Sequence, residues 1–124
     1  MLVTYQGIIH NDKDGLWLEF PALPGCFSHA KNIPELLQSG KEAMETWVLG
    51  ILENGEKLPQ ERLDLERTLG EGESFTYIQS DIDLANNAKS VEKTLTIPAW
   101  LDEQATLRHL NYSKVLQDAL VANL

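Results

Sequence analysis

The stretch from Val91 to Leu120, VEKTLTIPAWLDEQATLRHLNYSKVLQDAL, constrains the fold more than any other part of the chain. It opens with a period-two run in which Val91, Leu95 and Ile97 share one parity and Glu92, Thr94 and Thr96 the other, which predicts a strand over 91–97. Pro98 ends that run, because it has no N–H for a ladder and suits the first turn of a helix. Trp100, Leu101, Ala105 and Leu107 then follow at helical spacing. Arg108-His109-Leu110-Asn111 interrupts, and Asn111 is a good N-cap for a second helix carrying Val115, Leu116, Ala119 and Leu120. One short strand and two short helices cannot bury a core alone, so this unit needs a partner. Val91, Leu95, Ile97, Trp100, Leu116 and Leu120 are the expected core of that pairing.

Upstream, the pattern is that of a small sheet with one helix. Leu2 to His10 alternates as a strand, Asn11-Asp12-Lys13-Asp14-Gly15 is turn chemistry, and Leu16 to Phe20 returns to make a hairpin. The rigid turn Pro21 to Gly25 leads into a short third strand, Cys26 to Ala30. Asn32 with Glu35 forms a capping box, with Pro34 in the first turn of a helix. That helix carries Leu36, Leu37, Ala43, Met44, Trp47, Val48, Ile51 and Leu52, and Asn54-Gly55 closes it. Residues 56–74 read as a polar crossover with a helical turn near Leu63 to Leu65. Phe75 to Leu84 is a strand with Thr76, Ile78, Ser80, Ile82 and Leu84 on one face, and 85–88 is the expected hinge into the C-terminal unit.

Charge sets the two parts against each other. Residues 1–88 hold 15 acids and 6 bases, whereas 89–124 hold 4 of each, so the whole net charge of −9 belongs to the first part. An acidic domain suits a basic protein partner through electrostatic steering, and it argues against simple coating of nucleic acid. The single cysteine, Cys26, forms no internal disulfide and reads as a small core residue compatible with a reducing compartment. No apolar run of about 18 residues and no basic-then-apolar leader is visible, so the expectation is a cytoplasmic protein with no membrane span. His10, His29 and His109 are scattered, and no zinc set, phosphate-cradling glycine loop or G-x-S-x-G appears. A calcium loop at Asp12 and Asp14 fails because Pro21 stands where the bidentate glutamate belongs. No cofactor, no metal and no catalytic residue is expected.

The order strand, Pro, helix, capped turn, helix resembles the ribbon-helix-helix family. There, two chains pair their strands into an antiparallel ribbon that enters the DNA major groove. With GLWLEFPALPGCF, the capped Glu/Ala-rich helix and ENGEKLP added, almost the whole chain resembles the HicB antitoxin family of bacterial toxin–antitoxin pairs. It departs from that family's usual pattern at Ser28 to Asn32, where a Gly-Asp-Thr turn is more common. The resemblance implies an α+β fold: a βββαβ toxin-binding domain over 1–88 and a dimerising βαα unit over 89–124. It also implies the partners, namely a HicA-type mRNA-cleaving toxin, operator DNA and a homodimer or larger homo-oligomer. Thr94 and Thr96, with Glu92 nearer the edge, would then read bases, since threonine offers both a hydroxyl and a methyl. Lys93, on the inward parity, reaches a phosphate from the ribbon's end. Asn111, Tyr112 and Ser113 open the second helix, whose free N–H groups form a phosphate clamp. His109 stands at the break between the helices where glycine is frequent, so a positive φ is expected there.

Two other readings fit the residues without the resemblance. Asp81 and Asp83, at i and i+2 on one strand face, could hold Mg2+ in a small metal-dependent nuclease. The chain could also be a stand-alone dimeric repressor whose first domain senses a small ligand.

Overall fold

The computed structural model describes residues 1–84 and 91–124, so the hinge expected at 85–88 lies outside the described residues. The chain divides into two compact units, Leu2–Ile82 and Asp83–Leu124, the second of which also takes Met1. Among the described residues no helix is long and apolar enough to cross a membrane.

The first unit is a four-stranded antiparallel sheet in the order β3-β2-β1-β4. Strand β1 spans Leu2–Asp12, β2 Gly15–Glu19, β3 Phe27–Ala30 and β4 Glu73–Asp81. Asp12 pairs with Gly15 across a two-residue turn, where Gly15 takes φ 121° and Asp12 Oδ1 accepts from Asp14 N at 3.0 Å. That turn fixes the hairpin register, setting His10 opposite Trp17 and Ile9 opposite Leu18. The fourth strand begins two residues earlier than its alternation predicts and ends three earlier, at Asp81. Asp83 is therefore off the strand, and the shared face expected for Asp81 and Asp83 is not formed.

Helix α1 spans Ile33–Glu53 and is stopped and started as its caps predict. Asn32 Oδ1 accepts from Glu35 N at 2.9 Å, Pro34 lies in the first turn, and Gly55 takes φ 73° just past the end. Its buried stripe is Leu36, Gly40, Met44 and Val48, four residues apart, facing Val3, Tyr5, Ile9, Leu18 and Ile78 of the sheet. Gly40 belongs to that stripe because its missing Cβ is where a Leu18 methyl sits. Trp47, expected in the stripe, is instead partly exposed on the helix flank and lies across Gly25, whose positive φ makes the turn before β3.

Among the described residues of the first unit, no helix packs on the other side of the sheet. Residues 56–72 cross it instead. Tyr5, on the α1 side, donates its hydroxyl to Pro59 O at 2.8 Å and so holds the start of the crossover where the chain leaves α1. Gln6, only 4% exposed, then bonds Leu65 twice, donating Nε2 to Leu65 O at 3.3 Å and accepting Leu65 N at Oε1 at 2.9 Å. Tyr77 donates to Leu63 O at 3.3 Å. These bonds satisfy the crossover's backbone as a neighbouring strand would.

In the second unit, α2 spans Ala99–Leu107 and α3 Tyr112–Ala122. Pro98 stands at the start of α2, and Asn111 Oδ1 caps α3 by accepting from Lys114 N at 3.1 Å. Between them His109 takes φ 53°. Its N–H bonds Thr106 O and that of Leu110 bonds Ala105 O, so a histidine occupies the left-handed position of a Schellman turn. The strand predicted over 91–97 is absent: these residues belong to no sheet and are exposed. A strand is a paired object, and among the described residues this chain offers that segment no ladder partner.

Candidate functional site

Two surfaces collect the chemistry-bearing residues. The first is the helix-free side of the sheet, built by pairs that alternation sends to one face. His10 of β1, Trp17 and Glu19 of β2 and Glu73 of β4 converge there. The His10 and Trp17 rings stack with centroids 3.8 Å apart and planes 8° from parallel. His10 Nδ1 lies 3.3 Å from Glu73 Oε2, and its Nε2 lies 3.4 Å from Glu19 Oε1. Arg67 reaches in from the crossover, 2.5 Å from Glu73 Oε2 and 3.9 Å from Glu19 Oε1. Glu73 also accepts Gly70 N at 2.6 Å, and that bond, with the Arg67 and His10 charges, holds its carboxyl below the usual range. Trp17 Nε1 donates to Asp12 Oδ2 at 3.2 Å, which fixes the indole from its other end.

None of this constellation was singled out from the sequence. The hairpin was legible but not its register: turn chemistry spans Asn11 to Gly15, whereas β1 runs on to Asp12, and the resulting two-residue turn at Lys13-Asp14 sets His10 opposite Trp17. Arg67 lay beyond reach, since a crossover of 17 residues has no periodicity to place it.

Among the described residues no group of three His, Cys, Asp or Glu could hold a metal ion. The remaining nucleophile, Cys26, is buried, and burial pushes its thiol up to about 11, far from a reactive thiolate. That matches a core residue.

The second surface is the C-terminal unit. Glu92, Lys93, Thr94 and Thr96 all lie on the exposed 91–97 segment. Of the expected pairing core, Val91 is 78% exposed, Leu95 62% and Trp100 66%, and Ile97, Leu116 and Leu120 are exposed as well. Six large apolar side chains open to water on one short unit is far more than a monomer normally leaves uncovered. At the start of α3, Asn111 spends its side chain on the cap, and Ser113 follows on the first turn. Tyr112 is engaged within the unit: its hydroxyl donates to Asp102 Oδ1 at 2.5 Å and lies 3.2 Å from Thr106 Oγ1. The bond to Asp102 raises the phenol above its ordinary value. Tyr112 thus braces α2 against α3 through its hydroxyl.

The chain is similar to known proteins. An uncharacterised 14.9 kDa protein of Haemophilus phage HP1 is 32% identical over 102 residues, covering 80% of this chain and 76% of that protein. A toxin–antitoxin complex from Streptococcus pneumoniae contains a chain 25% identical to this one, with full coverage of both and a TM-score of 0.55. The crystal structure of the Burkholderia pseudomallei antitoxin HicB covers 98% of each chain with a TM-score of 0.63 and 21% identity, a likeness of fold. The model of the HicB-like antitoxin of bacterial toxin–antitoxin systems matches residues 5–120, which takes in the sheet, its helix and both C-terminal helices. The chain belongs to the HicB-like antitoxin family.

Proposed function

We propose that this chain neutralises a HicA-type mRNA-cleaving toxin by binding it through residues 1–88, and represses its own operon as a dimer joined through 89–124. The chain itself performs no catalysis. The observation that carries this reading is the pairing of an acidic, self-contained sheet domain with a short unit whose apolar residues are left uncovered within a HicB-like antitoxin sequence.

In this reading two copies of 91–97 supply each other's missing ladder. Leu95 and Ile97 turn inward, while Thr94 and Thr96, with Glu92 beside them, face base edges in the major groove. Lys93 reaches a phosphate. The N–H groups at Tyr112 and Ser113, with Asn111 holding the cap, clamp a second phosphate by the positive end of the helix dipole. Tyr112 offers its backbone N–H to that phosphate, while its hydroxyl braces α3 against α2.

Co-expression with a HicA-type toxin tests the first half. Rescue of growth and co-purification are expected, and a toxin left fully active by an abundant, folded chain would refute neutralisation. The second half is read by a reporter fused to the chain's own promoter, which should fall silent when the chain is supplied.

A further inference from the structure

The helix-free side of the sheet is covered unevenly. The crossover seals the β1–β4 half, leaving Gln6 4% and Ile8 1% exposed. Among the described residues of the first unit nothing comparable covers the β2–β3 half. There Phe27 is 62% exposed on the edge strand, with exposed His29 on the same strand and half-buried Trp17 on its neighbour, all on one face by the Trp17–His29 and Glu19–Phe27 pairs. Trp17, Phe27 and His29 line a shallow depression together with Asp12 and Asp14, and Phe27 also borders a second one between β3 and α1, lined by Gly25, Cys26, Ala43 and the partly exposed Trp47. The edge itself, Phe27-Ser28-His29-Ala30, carries neither the lysine nor the proline that usually blunts an open strand.

We propose that this edge, centred on Phe27 and flanked by Trp17 and Trp47, is the surface on which the cationic toxin docks. The inference rests on the antitoxin reading above and says where on the first unit the contact is made. Charge selects the occupant. Asp12 and Asp14 rim one depression and Glu42 the other, on a unit that holds 14 acids and 6 bases over residues 2–82. A basic protein with an apolar centre and a Lys/Arg rim is complementary, whereas a second copy of this acidic unit is repelled. Trp17 is already immobilised by the His10 stack and the Asp12 bond, so it can serve as an anchor without losing rotamer freedom on binding.

The test uses the full chain and the HicA-type toxin, by calorimetric titration, with light scattering and operator binding as controls. Phe27→Asp should weaken toxin binding by about 30-fold or more, the range of a central aromatic anchor. Phe27→Ala, which inserts no charge and removes a mostly exposed ring, should weaken it in the same direction with the fold intact. Leu63→Asp, an exposed apolar position on the crossover, should leave it unchanged. Toxin affinity within about threefold of the unaltered chain in both Phe27 variants would overturn the docking surface while leaving the antitoxin reading in place. A change of oligomeric state in those variants with toxin affinity retained would assign the edge to a second copy and also overturn it. If the unaltered chain fails to bind the toxin, the functional reading falls and takes this surface with it.

Discussion

Gln6 and Leu65 are joined by a reciprocal pair of hydrogen bonds, side-chain amide to backbone carbonyl and backbone amide to side-chain carbonyl, across 59 positions of sequence. A glutamine thereby imitates a strand and pins an irregular crossover to the middle of the sheet. Gln6→Ala leaves both Leu65 groups without partners in a largely dry setting. A loss of about 1–3 kcal/mol in urea unfolding is expected, followed by tryptophan fluorescence. A change below about 0.5 kcal/mol would mean that the crossover is held by other contacts.

Glu73 gives the first unit a defined acid sensitivity. Its folded carboxyl lies below its ordinary value, chiefly through the Gly70 N–H bond and then through Arg67 and His10. A group lowered on folding adds stability that is complete above its unfolded value and lost as pH falls through its folded one. Unfolding midpoints should therefore drop through the carboxylate range, and Glu73→Gln should flatten that drop. A variant with an unchanged pH profile would show that the Gly70 and Arg67 contacts of Glu73 add no measurable stability.

Cys26 should be silent to thiol reagents in the native chain. With its thiol raised to about 11 and its side chain buried, modification by an aromatic disulfide at pH 8 should wait on unfolding and become rapid in urea. Fast native labelling would place the residue at the surface.

Leu95→Asp puts an unpaired charge where two copies of the 91–97 segment are proposed to meet. The cost of several kcal/mol should dissociate the assembly while leaving the first unit folded. Light scattering that still shows a dimer would rule out pairing through this segment.

Thr94→Ala with Thr96→Ala removes hydroxyls proposed to bond base edges and leaves Leu95 and Ile97 in place. At about 1–3 kcal/mol for each lost base contact, specific operator affinity should largely vanish with the dimer and toxin binding preserved. Lys93→Ala should instead weaken all DNA sequences alike and flatten the salt dependence. Full operator affinity in the double variant would move base reading elsewhere.

The elements most readable in the sequence are those fixed by local chemistry. Asn32 with Pro34, Asn111, Gly55 and the turn chemistry within Asn11 to Gly15 each act on their own neighbours, so spacing alone locates them to within a residue or two. His109 was legible for the same reason, because a break between two helices demands a left-handed residue whatever surrounds it. Failures arise where a distant segment decides. Gln6 alternates as a surface residue, yet the crossover buries it. Gly40 has no hydrophobic signal, yet it sits in the buried stripe because Leu18 needs the room. The 91–97 run keeps a strand's alternation and finds no strand beside it, since pairing is a property of two segments rather than of one. At the candidate surfaces, alternation placed Thr94 and Thr96 on a common parity, while Phe27 and Trp17 became visible only once the crossover was seen to stop short of them.

The uncovered side chains of the second unit have a consequence for how the chain responds to its own abundance. The first unit closes its core within one chain, so its stability is indifferent to dilution. If the 91–97 segments complete each other, the second unit's order is a second-order event, and its stability rises with the concentration of chain by mass action. Toxin capture then scales with the number of molecules, whereas operator occupancy scales with the number of encounters between them. A single polypeptide thus carries a linear sink and a nonlinear meter, and scarcity would relax transcription before it exhausts the capacity to bind toxin.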